Sequence, residues 1–145
     1  MRTLVGSRAL TRYFSDFYRK VDDVDYFSDV PIEGADTFYH PDLEKWSWSS
    51  IATLDELYTI KVSHSFWQLR NNSWNKHMRD IQFMQEKGAY FLPGLHEVLY
   101  PIWEKVHGKK RDNIHSPGIE DLIVTDAPRY DHDSIHASVA YSSEP

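Results

Sequence analysis

Thr3-Leu4-Val5-Gly6-Ser7-Arg8-Ala9-Leu10 decides the fold class: a short apolar strand runs straight into a glycine, and a helix follows at once. Leu10, Tyr13, Phe14 and Phe17 fall on one face at helical spacing, which predicts a helix from Arg8 to Tyr18. Val21 to Val30 alternates around Val24 and Tyr26 and reads as a second strand. The turn chemistry of Pro31-Ile32-Glu33-Gly34 then leads into a third, Ala35 to His40, and the two are expected to pair as a hairpin.

Beyond Pro41 to Ser50, a loop carrying Trp46 and Trp48, the pattern turns helical. Thr53-Leu54-Asp55-Glu56 matches a capping box and starts a helix expected to reach about Leu69. Asn71-Asn72-Ser73 breaks it, and Trp74 to Lys87 forms the next, with Gly88 as its C-terminal cap. Leu95 to Val106 is a further amphipathic helix ending at Gly108, which Pro101 should kink or split. Leu122-Ile123-Val124 reads as a fourth strand and Asp131 to Tyr141 as a last helix. The expected fold class is α+β, a small mixed sheet with an appended helical segment, in one domain, 1–145: sheet in 1–50, helices in 51–108, and a C-terminal tail in 109–145.

Composition narrows the function classes. With 41% hydrophobic and 26% charged residues the chain belongs with folded globular domains rather than disordered ones. It has no cysteine, so disulfides, thiolate nucleophiles and cysteine zinc sites are excluded and any metal is held by oxygen and nitrogen. No apolar run is long enough to span a bilayer, and a cytoplasmic location is expected, with no membrane partner. A formal net charge of -6 disfavours a protein that coats nucleic acid, although Lys109-Lys110-Arg111 offers a local basic run, read as a solvated helix end.

The chemistry-bearing pattern lies in the first forty residues. Asp23 and Asp25 flank Val24 on the expected second strand, so both carboxylates should share a face and hold one divalent cation, Mg²⁺ or Mn²⁺. Asp36 on the neighbouring strand is the candidate third carboxylate. Gly6 lets backbone approach a triphosphate, Ser7 and Arg8 offer donors, and the helix that follows points its positive end at the same place.

A Gly-Ser pair ending a strand, then a helix, then Asp-x-Asp on the next strand resembles the nucleotidyltransferase superfamily of the DNA polymerase β type. Here it reads Val5-Gly6-Ser7-Arg8-Ala9 followed by Asp23-Val24-Asp25-Tyr26-Phe27. The resemblance extends over roughly the first eighty residues to small abortive-infection toxins and minimal nucleotidyltransferases, phage-encoded forms among them. These append a helix carrying a lysine and another carrying Arg-Asp, matched here by Lys61 and by Arg79-Asp80. It implies a nucleotidyltransferase-like core. Asp23 and Asp25 would bind metal, Asp36 would be the third carboxylate, and Gly6, Ser7, Arg8 and Lys61 would hold the phosphates of an NTP. The acceptor hydroxyl would belong to RNA, protein or a small molecule.

Each signal has a plainer explanation. Gly6-Ser7 also suits a simple helix start, the acidic run a solvated strand edge, and Asp80, four residues after Lys76, a helix-surface ion pair. Two rival functions follow. The fifteen residues between Ser7 and Asp23, and the tight connection from Asp25 to Asp36, suit a catalytically inactive nucleotidyltransferase-like protein that binds or inhibits. His132 and His136, one helical turn apart, with Asp131, His115 or His107 completing the shell, suit a histidine-metal hydrolase or nuclease.

Overall fold

The computed structural model describes residues 1–33, 36–67 and 74–109. The expected tail strand and helix, with His115, Asp131, His132 and His136, lie outside the described residues.

Strand β1 (Arg2–Val5) passes directly into α1 (Gly6–Tyr13), and β2 (Asp25–Ser28) and β3 (Asp36–Tyr39) complete a three-stranded sheet in the order β1-β2-β3. The α+β class is as the sequence implies. Leu4 donates its N–H to Ser50 O (2.9 Å) and accepts from Ala52 N–H (3.0 Å), so the outer edge of β1 is covered by the segment that leads to the helices.

Two expectations fail here for identifiable reasons. β2 and β3 are parallel, not a hairpin, with Asp25 opposite Asp36 and Phe27 opposite Phe38. Alternation fixes which side chains share a face but not strand direction. The Ser28 hydroxyl accepts from Val30 N–H (3.1 Å) and turns the chain off the sheet, while His40 N–H returns to Ser28 O (3.1 Å). Helix α1 stops at Tyr13 rather than Tyr18: Phe14 is extended (φ -132°, ψ 110°), and its ring and that of Phe17 pack edge-on against Phe83. The aromatic spacing that mimics a longer helix is instead an apolar strap across α3.

The helical half follows its local signals closely. Thr53 and Glu56 form the reciprocal capping box of α2 (Leu54–His64), which continues as a short 3-10 turn at Ser65–Trp67. Gly88, at φ +87°, closes α3 (Trp74–Glu86), and Gly108, at φ +92°, closes α4 (Pro93–His107), whose Gly108 N–H reaches Glu104 O at 2.8 Å. Helix α4 runs through Pro101 without splitting, the proline lying on its exposed side. Leu57, Tyr58, Val62, Met84, Leu99 and Ile102 are buried between α2, α3 and α4, joined by Phe27 from the sheet. Among the described residues no helix is long and apolar enough to cross a membrane.

Candidate functional site

Between the sheet and the helices lies a cleft of about 600 Å³ that takes Gly6 from the strand-helix junction, Asp25 and Asp36 from the sheet, and Lys61, His64 and His77 from the helices. Residue alternation builds its floor. Asp25 and Phe27 share one face of β2, Asp36 and Phe38 the same face of β3, and the in-register parallel pairing sets acid beside acid and ring beside ring. Phe27 and Phe38 stand 5.5 Å apart between ring centroids.

Gly6 adopts φ +70°, a conformation glycine reaches without penalty, and a Cβ there would lie 3.0 Å from Asp25 Oδ2. Missing that Cβ, the start of α1 closes directly against the Asp25 carboxylate. Asp25 remains exposed, and the partial burial it undergoes, reinforced by the negative charges of Asp23 and Asp36, raises its pKa, with Lys61 and Lys76 opposing. Asp25 and Asp36, paired across β2 and β3, are the oxygen donors here that could take a hard divalent cation. Mg²⁺ commonly takes one or two carboxylates and draws its other ligands from phosphates and water. Among the described residues no group of three or more His, Asp or Glu is placed to hold a metal.

Asp23 departs from its expected place. It precedes β2, is exposed, does not line the cleft, and meets Arg8 through its backbone oxygen (3.5 Å). Its sequence neighbourhood is acidic and irregular, so the pleat that would align it with Asp25 never extends that far. Ser7 and Arg8 also stand behind the cleft rather than in it. Arg8 Nη2 donates to Val21 O (3.1 Å), and the Ser7 hydroxyl donates to Asp80 Oδ2 (3.3 Å) while accepting from Arg19 Nη2.

Asp80 corrects its reading as a helix-surface partner of Lys76. Its side chain is 0% exposed and receives Arg19 Nη2 at 2.8 Å, Arg19 Nε at 3.2 Å, Lys61 Nζ at 3.2 Å and the Tyr18 hydroxyl. Burial alone would raise its pKa; the Arg19 hydrogen bonds, the Lys61 charge and the Tyr18 hydroxyl outweigh burial and hold it low. Burial and the hydrogen bond to Asp80 push Tyr18 up to about 12.

Lys61 is the cation this carboxylate holds at the cleft. Its ammonium also meets His77 Nδ1 at 3.1 Å, and because an ammonium only donates, His77 accepts there and carries its own proton on Nε2. Burial lowers the Lys61 pKa while Asp80 works against it. Burial, then the charges of Lys61 and Lys76, push His77 down to about 3. On the far side, His64 and His107 face each other Nε2 to Nε2 at 2.8 Å, and His64 lies over Trp103 with ring centroids 4.4 Å apart.

The sequence therefore named Gly6, Asp25, Asp36 and Lys61 of this cleft, but not His64, His77, Trp103 or the Asp80 network behind it. A usable signal was present: Lys61 with His64, and His77 with Asp80, are polar pairs one helical turn apart on successive helices.

No curated protein and no solved structure matches the chain. Residues 56–145, more than half of the chain, match a family model described as a domain of unknown function. The match takes in Lys61, His64, His77, Asp80 and His107, and begins after Gly6, Asp25 and Asp36. The chain thus belongs to the DUF7275 family, whose matched segment supplies the helical wall of the cleft.

Proposed function

We propose that the protein is a metal-dependent nucleotidyltransferase that moves a nucleoside monophosphate from an NTP to a hydroxyl acceptor. The observation that carries the reading is the meeting, in one cleft, of the glycine-led start of α1, the Asp25–Asp36 pair and Lys61. Strand, Gly-Ser, helix and acidic strand also follow one another in the order of a nucleotidyltransferase-like core.

In this reading the acceptor oxygen attacks the α-phosphorus and passes its proton to the Asp36 carboxylate, while the α–β phosphoanhydride bond breaks and pyrophosphate leaves. A bound Mg²⁺ or Mn²⁺ would supply charge neutralisation at the phosphates, held by Asp25 and Asp36. Lys61, steadied by Asp80, adds positive charge to the phosphate side, and the amide groups at the start of α1 add a further anion-binding surface. His77, with its proton on Nε2, offers a neutral donor that does not compete for the metal. Ser7 and Arg8 act indirectly, Ser7 by bracing the Asp80 network and Arg8 by tethering Val21 and Asp23. The acceptor is RNA, protein or a small molecule, and the site of action in this reading is the cytoplasm.

A second reading, a nucleotidyltransferase-like binding or inhibitory protein without turnover, is favoured by one observation: Asp23 lies outside the cleft, leaving two carboxylates where nucleotidyl transfer commonly employs three. The two separate by assay. NTPs labelled at the α-phosphate are incubated with Mg²⁺ and RNA, protein and small hydroxyl acceptors, and release of pyrophosphate is followed together with label transfer. Release and transfer that Asp25→Asn and Asp36→Asn each abolish would support the enzyme. Metal-dependent NTP binding with no release on any acceptor would favour the binding protein.

A further inference from the structure

The cleft changes character along its length, and two independent elements impose the same change. Along the sheet the acidic row Asp25–Asp36 gives way, two residues on and thus about 6.6 Å away, to the aromatic row Phe27–Phe38. Along α2, Lys61 gives way to His64 after three residues, a rise of about 4.5 Å. Both gradients run the same way, because Trp103 of α4 joins their far ends: its ring lies 5.1 Å from Phe38 and 4.4 Å from His64. His107 lies beside His64, its ring centroid 4.9 Å away, and is exposed.

A ligand complementary to both ends is anionic and metal-binding at one end and flat and aromatic at the other. We infer that the aromatic end, walled by Phe38 and Trp103 and rimmed by the His64–His107 pair, is the subsite for the heteroaromatic base of the nucleotide, an assignment that rests on the nucleotide reading above. Packing against Phe38, the more exposed of these two rings, supplies affinity that the triphosphate alone does not obtain. Burial, with the influence of His107 and Lys61 adding to it, pushes His64 down to about 4.

Calorimetric titration of the full chain with Mg²⁺ and inorganic tripolyphosphate, then with Mg²⁺ and each of ATP, GTP, CTP and UTP, tests the assignment. At least one NTP should bind about tenfold or more tightly than tripolyphosphate, the gain expected of one stacked base. His107→Ala, a change at an exposed position, and Phe38→Leu should each narrow that gap to less than about threefold while circular dichroism reports an intact fold. Equal affinity for tripolyphosphate and all four NTPs, or a gap that neither variant narrows, would overturn the base subsite and leave the phosphate site standing. No binding of tripolyphosphate or of any NTP would overturn both.

Discussion

At the level of single residues, Asp80 carries the most consequence and was the least legible. Lys76 stands four positions before it and offers a sufficient local explanation, worth a few tenths of a kcal/mol on a helix surface. The partners it actually takes, Arg19 and Lys61, are separated from it by 61 and 19 residues, and no short-range pattern points to either. The two readings differ tenfold in energy. Removing one partner of a buried ion cluster leaves the others uncompensated and costs roughly 3–5 kcal/mol. Arg19 and Lys61 keep side-chain exposures of 22% and 16%, so water recovers part of that, and Asp80→Ala should lower unfolding free energy in urea by about 3 kcal/mol. A loss of only a few tenths would return Asp80 to the helix surface. The stabilisation also has a sign in pH: with its folded pKa below the ordinary 3.8, Asp80 stabilises fully above that value and ceases to as pH falls through the lower folded value.

At the scale of elements, what was legible is what is local. The Thr53–Glu56 capping box and the Gly88 cap each depend on a few adjacent residues and formed as read. Strand direction and the end of α1 depend on distant partners, Phe83 among them, and were misread. The candidate site divides the same way: Gly6, Asp25 and Asp36 were found by motif, whereas the histidines, which serve equally as core, surface or ligand, needed the fold. The junction of β1 and α1 yields a paired prediction. Gly6→Ala forces a residue with a Cβ into φ +70°, at a cost of about 1–2 kcal/mol, and displaces the Asp25 carboxylate that now occupies the space. Gly88→Ala meets the same backbone penalty at φ +87° but has nothing within 4 Å of its new Cβ. Both variants should lose similar stability in urea, and only Gly6→Ala should weaken Mg²⁺-dependent NTP binding, by about tenfold. Equal effects of both on binding would separate Asp25 from the nucleotide.

Across the described molecule, half-buried His64 and His77 and buried His96 should dominate the response to acid. His64 and His96 are pushed down to about 4 and His77 to about 3, burial being the leading cause in each. In the unfolded chain each returns to about 6.5. Between those values the unfolded chain binds more protons than the native one, so stability rises with pH through the window, is fully present above about 6.5, and declines as pH falls toward 4. Acid unfolding should therefore begin well above the range in which Asp80 protonates, and the urea midpoint should fall continuously from pH 6.5 to 4. His96 isolates one share of this. It is 5% exposed between Phe91 and Tyr100, each ring centroid 5.3 Å away, its Nδ1 has no hydrogen-bond partner among the described residues, and it does not line the cleft. His96→Leu removes a proton-binding site from the unfolded chain without emptying the native core, so the pH slope should flatten by up to about 1.4 kcal/mol per pH unit within the window. Above pH 7 the same substitution should leave stability unchanged or raised, because an unpartnered buried nitrogen gives way to apolar packing. Equilibrium urea unfolding at pH 7.5, 6, 5 and 4.5 measures both arms at once, and a wild-type midpoint that stays flat down to pH 4.5 would show that these imidazoles are not held neutral by the fold.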